Sequence, residues 1–95
     1  SFDPEAVFEK VCSNCHGVKG RGDGPAGMAL NPPAANFTKS EFWAERDQEH
    51  LRKVIKLGGA AVGRSAAMAA YGAMYKDEQI ASLAAYLEEE FKPND

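Results

Sequence analysis

The chain holds only two cysteines, two histidines and one tryptophan in 95 residues. Two cysteines exclude a disulfide-built framework. No apolar run approaches the ~20 residues of a membrane span. Positive charge is not in excess: 11 Lys and Arg against 14 Asp and Glu leave −3, where a nucleic-acid binder normally carries a basic surface. No stretch alternates apolar and polar residues as a half-buried strand does. What remains is globular in composition, 44% hydrophobic, yet a core this small usually needs a staple, a metal or a cofactor.

The two cysteines stand in Cys12-Ser13-Asn14-Cys15-His16. Cys-x-x-Cys-His is the attachment signature for c-type haem. Cysteines three apart on a helical turn face the same way, so both reach the vinyl groups on one side of a porphyrin. His16 follows at once, placed to bind the iron. Three plainer readings compete. A thioredoxin-like redox pair needs a βαβ setting that is missing here. A zinc site needs a second Cys/His pair, and the other histidine, His50, is distant in sequence. A plain disulfide at this spacing is uncommon.

Asp3-Pro4-Glu5 is a helix start, with a capping carboxylate, proline in the first turn and an acid beside it. The helix is predicted from Pro4 to about Asn14, with Val7, Phe8 and Val11 as its apolar face. Residues 17–37 read as a loop rich in glycine and proline. A phosphate cradle lacks its strand and its Gly-Lys-Ser/Thr, so the glycines are expected to let the backbone hug a flat cofactor. Ser40 is expected to cap a short helix over 41–46, and Asp47 a second over 48–57, with Leu51, Val54 and Ile55 as its stripe and Gly58 as its stop. Residues 60–76 are mostly small and predicted irregular. Asp77 is expected to cap a last helix over 78–91, with Ile80, Leu83, Ala84 and Leu87 at helical spacing. Net charge is −1 over 1–38, +2 over 39–75 and −4 over 76–95; the acidic excess reads as a solvated face of that helix.

An electron-transfer haem normally has a sixth ligand, and its identity sets the potential. Met28 follows His16 closely and belongs to the loop on its side of the ring. His50 sits beside Glu49 and Lys53 and is expected to face solvent. Met68 and Met74 are rivals in the small-residue segment; core packing is the default for any methionine.

Nearly the whole chain resembles the class I single-haem bacterial cytochromes c. Phe8, four residues before Cys12, is similar to the family's N-helix aromatic, and Leu83 and Tyr86 look like the C-helix pair that packs across it. Gly22-Asp23-Gly24-Pro25-Ala26-Gly27 and Pro32-Pro33-Ala34-Ala35-Asn36-Phe37 are similar to the family's loop. Met68-Ala69-Ala70-Tyr71-Gly72 looks like its Met-Pro-Ala-aromatic-Gly segment. The resemblance implies an all-α cytochrome c fold over residues 1–95 as one domain. In that fold the terminal helices cross, and short helices and loops wrap one haem c held through Cys12 and Cys15. It implies His16 and Met68 as axial ligands, with Met74 left to packing. A proline carbonyl is expected to accept from the axial histidine, with Pro33 preferred over Pro25 and Pro32. Trp43 is a candidate propionate donor, though core packing is the stronger reading; Arg46 and Arg64 are further candidates. Phe37, Leu30, Val54, Ile55 and Tyr71 are expected to line the pocket. The chain departs from the pattern at Ala69, where the family has proline; at Pro4, where it commonly has glycine; and at Lys76, where a serine often caps.

The function implied is a soluble electron carrier of respiratory-chain type, not an enzyme. It would be monomeric and meet redox partners transiently, with small or apolar residues (Val18, Ala26, 60–67) around the haem edge. Two other classes compete: a haem-based small-molecule sensor with a labile sixth position, which Ala69 favours, and a cytochrome domain of a larger oxidoreductase. Attachment of haem c outside the bacterial cytoplasm implies a periplasmic location. The start at Ser1-Phe2-Asp3 is consistent with a processed, stand-alone chain.

Overall fold

The computed structural model describes residues 1–94. The N-terminal helix runs without a break through three hydrogen-bonding regimes: α1 (Pro4–Val7), a π-helical stretch (Phe8–Cys12) and α2 (Ser13–His16). Asp3 caps it as expected: its Oδ1 accepts from the N–H of Glu5 at 3.1 Å and of Ala6 at 3.3 Å. The helix extends two residues past the predicted end and stops at Gly17. In the π stretch the Ser13 N–H bonds back to the Phe8 carbonyl, five residues away, which widens the turn that carries Cys12. Ser13 Oγ donates to the Glu9 carbonyl at 2.6 Å.

Three further helices follow: α3 (Ser40–Ala44), α4 (Gln48–Leu57) and α5 (Asp77–Phe91), with a 3₁₀ turn at Gly59–Val62. No strand occurs among the described residues. Asp47 caps α4 through a 2.8 Å bond to the His50 N–H, and Gly58 ends it. Two expected caps are corrected. Ser40 makes no capping bond and is the first residue of α3, behind Lys39. Asp77 is likewise inside α5; Lys76 holds the cap position, and Gln79 Oε1 accepts its N–H at 2.8 Å. A lysine side chain has no acceptor, so Gln79 supplies only the reciprocal half of a capping box.

α5 is the centre of the core. It packs on α4 along one side and on α1 along the other. Its Ile80, Leu83, Ala84 and Leu87 are buried with Phe8, Phe37, Trp43, Leu51 and Ile55. Phe8 sits against Tyr86, with ring centroids 5.8 Å apart, and against Phe91 at 5.1 Å. Burying one such ring stabilises by about 1.5–3 kcal/mol. Gln48 of α4 reaches across to the Ala84 carbonyl at 3.1 Å and Glu88 Oε1 at 2.7 Å.

The 17–37 loop wraps the carbonyl end of α2. Gly22 N–H donates to the His16 carbonyl at 2.7 Å, Gly24 to Cys15 at 3.1 Å and Ala26 to Asn14 at 2.9 Å. These three bonds satisfy carbonyls that a helix C-terminus leaves open. The glycines therefore serve a different contact from the expected one. A Cβ at Gly24 or Gly27 would strike the backbone of residues 13–15, and none of the 17–27 glycines reaches the cavity described below. They bring the loop against the Cys-His turn rather than against a cofactor.

Candidate functional site

α2, α4 and the loops at 30–37 and 59–75 enclose a cavity of about 310 Å³, within the range of small-molecule and cofactor sites. Cys12, Cys15 and His16 line it together with Met68, Tyr71 and Phe37. Both cysteines are half-buried free thiols. Burial, and secondarily the neighbouring Cys15, pushes the Cys12 thiol up to about 11, so it stays protonated near neutral pH.

His16 is held on two sides. Its ring lies nearly parallel to that of Phe37, with centroids 4.7 Å apart and planes 22° apart. Its Nδ1 is 3.3 Å from the Ala35 carbonyl oxygen. Burial holds its pKa below the usual imidazole value; the Ala35 bond opposes this and the nearby Arg64 charge adds to it. The result is a neutral ring with Nδ1–H donating to Ala35, which leaves the Nε2 lone pair for a metal.

The expected Pro33 contact is thereby corrected. Pro33 lines the cavity, but its carbonyl accepts from Arg64 Nη2 at 3.1 Å. Buried Phe37 pins the segment, its N–H donating to the Gly20 carbonyl at 2.6 Å. That anchor sets Ala35, two residues earlier, beside the imidazole. Trp43 is corrected as a cofactor contact. Its Nε1 donates to the Phe37 carbonyl at 2.7 Å inside the core, and it is not part of the cavity wall. Arg46 lies over the Phe42 ring, 4.5 Å from its centroid, and lines the cavity.

Met68 is half-buried in the cavity wall. The 59–70 loop positions it: Gly59 N–H donates to the Met68 carbonyl at 3.1 Å, and Tyr71 N–H to the Ile55 carbonyl at 2.9 Å. Met28 is 70% exposed and Met74 65%, and neither lines the cavity. Burial raises the Tyr71 phenol, with Cys12, Cys15 and Tyr75 nearby. Leu30, Val54 and Ile55 line the wall as expected, while Val18 lies outside it and is 71% exposed.

One wall residue was misplaced by sequence reasoning. His50 is half-buried and lines the cavity rather than facing solvent. It stands four residues before Val54, on the same helical face, and that spacing was the available signal.

The wall is mainly apolar, with Arg46, His50 and Arg64 as its basic groups and Glu45 as its one carboxylate. An apolar slot with basic groups suits a flat macrocycle bearing carboxylates. Among the described residues no three His, Cys, Asp or Glu side chains converge on a metal, so the zinc reading fails on its donor set. These features define an all-helical protein with a tether for haem.

The cytochrome c family model matches residues 4–90, and the chain belongs to the cytochrome c family. Membership carries the all-α cytochrome c fold, covalent haem c and haem-based electron transfer. A comparison with curated proteins finds no match.

Proposed function

We propose that this chain is a single-haem, class I c-type cytochrome that carries electrons between transient redox partners and catalyses no reaction of its own. Cys12 and Cys15 would hold the haem as thioethers, and His16 and Met68 would ligate its iron. Haem, when bound, supplies an iron that alternates between ferric and ferrous. The observation that carries the ligand assignment is that Met68, alone of the three methionines, lines the same cavity as His16.

The chain's own residues then have distinct roles. Ala35 and Phe37 fix the imidazole tautomer and its rotation. The apolar wall would lower the local dielectric around the haem and shield it from water. Pairing a thioether with an imidazole favours the ferrous state relative to two imidazoles. Export to the periplasm and a monomeric state belong to the same reading. Among the described residues no helix is long and apolar enough to cross a membrane.

The test is to replace Met68 and Met74 separately by alanine in the haem-loaded protein. Met68→Ala should abolish the weak red absorption band of thioether-bound ferric haem and open the reduced form to carbon monoxide. Met74→Ala should change neither. Rapid carbon monoxide binding by the unaltered protein, with no such band, would instead identify a sensor with an open sixth position.

A further inference from the structure

We propose that Arg64 is a positioning residue for Met68: its bond to the Pro33 carbonyl latches the Met68 turn across the cavity rim and sets how readily a small ligand displaces the thioether; this rests on the axial assignment above. Arg64 Nη2 donates to the Pro33 carbonyl at 3.1 Å, between residues 31 apart in sequence. Both residues are exposed and both line the cavity, so the bond lies at its rim. Among the described residues no other hydrogen bond joins the 30–37 segment to the 59–75 segment.

Each end of this bond belongs to a unit that presents one of the two ligands. On one side, the Met68 N–H donates to the Ser65 carbonyl at 3.3 Å and the Ala67 N–H to Ser65 Oγ at 3.1 Å. The turn beginning next to Arg64 is therefore the turn that carries Met68. The Arg64 N–H donates to the Gly59 carbonyl at 2.8 Å, and the Gly59 N–H to the Met68 carbonyl at 3.1 Å. Residues 59–68 thus close on themselves, and a compact loop bonded internally opens as one unit. Behind it, the Ile55 and Lys56 carbonyls of α4 accept from Tyr71 and Gly72 at 2.9 and 3.1 Å. On the other side, Pro33 stands two residues before Ala35, whose carbonyl lies against His16 Nδ1. One side chain therefore ties the Met68 turn to the segment that orients His16.

The other wall arginine is committed elsewhere. Arg46 lies over the Phe42 ring, and its Nη1 donates to the Phe42 carbonyl at 3.2 Å. The Arg64 guanidinium keeps its charge at any working pH, and its acceptor is a neutral carbonyl. The latch is therefore a charge-assisted bond that salt screens little, unlike an exposed ion pair. Removing one such bond raises the open population by about tenfold. The attachments to α4 are untouched by its loss, so the turn swings at the rim while its base stays paired.

The experiment follows imidazole binding to the ferric, haem-loaded protein by stopped flow, in the unaltered chain, Arg64→Ala and Arg64→Lys, at low and high salt. Amide hydrogen exchange at Gly59 and Tyr71 reports the base of the turn in the same proteins. Arg64→Ala should keep the thioether band but bind imidazole about tenfold faster, with exchange at Gly59 and Tyr71 unchanged. Arg64→Lys, which keeps a charged donor on a long stem, should return the rate close to that of the unaltered protein. The rate in the unaltered protein should not depend on salt. An unchanged rate in Arg64→Ala overturns the latch and leaves the Met68 assignment standing. Exchange at Gly59 and Tyr71 that rises with the imidazole rate overturns it as well, because the side chain would then only hold the loop folded. A rate in the unaltered protein that rises with salt assigns Arg64 to a haem propionate and overturns it too. An unaltered protein without the thioether band overturns both the latch and the axial assignment.

Discussion

The imidazole of His16 rests on the ring of Phe37, with planes 22° apart and centroids at 4.7 Å, while the same segment offers the Ala35 carbonyl to Nδ1. Phe37 thus links the site to the core, since its other neighbours include Phe42 at 5.2 Å and Phe91 at 6.0 Å. At 4% exposure, its truncation to alanine should cost about 3–5 kcal/mol in denaturant unfolding. Phe37→Leu should recover most of this, leaving about 0.5–1.5 kcal/mol for the lost aromatic contacts. A Phe37→Leu variant as stable as the unaltered protein would show that stacking contributes nothing.

Trp43→Phe separates a core role from a cofactor role. It keeps most of the buried ring but removes the donor that satisfies the Phe37 carbonyl at 2.7 Å. The expected cost is about 1–3 kcal/mol of stability, with the midpoint potential unchanged. A potential shift without a stability loss would return the indole to the propionates.

Gly27→Ala tests the loop that closes over the Cys-His turn. The added methyl would strike the Cys15 backbone, which cannot move without displacing the tether. The expected result is a stability loss of about 1–3 kcal/mol and less covalently bound haem per chain, read from absorbance after denaturing extraction. Ala26→Ser, at an exposed neighbour, should stay within about 0.5 kcal/mol of the unaltered protein.

Features encoded within one turn of helix were legible in the sequence. The Asp47 cap, the Leu51-Val54-Ile55 stripe and Gly58 bracket α4 as found, and Asp3-Pro4 marks the first helix start. Placing Cys12, Cys15, His16 and Met68 around one cavity needed only the motif and the family pattern. Features that depend on how distant segments meet were not legible. Whether Pro33 or Ala35 faces His16 depends on where Phe37 anchors, and that depends on Gly20 and Phe91. The π stretch changes a hydrogen-bond partner by one residue without changing the apolar pattern. The glycine-rich loop announced close approach but not its target.

Tyr86 gives the fold an alkaline limit. Burial first, then the charges of Glu90, Glu5, Glu9 and Asp3 where α1 meets α5, push its phenol up to about 12 from an ordinary 10.0. Between those values the unfolded chain has released the proton and the folded chain has not. The unfolded state then binds fewer protons, so stability falls as pH rises through this window. Below about pH 10 the group makes no pH-dependent change. Tyr86→Phe cannot ionise, so its stability should lack this component. Denaturant unfolding of both proteins at intervals from pH 9 upward measures the difference between them. The unaltered protein should lose ground to the variant from about pH 10, and the gap should level off near pH 12. Parallel curves would mean that the phenol is solvated despite its acidic neighbours, and that the contact between the N-terminal helix and α5 is looser than the 5.8 Å separation of Phe8 and Tyr86 indicates.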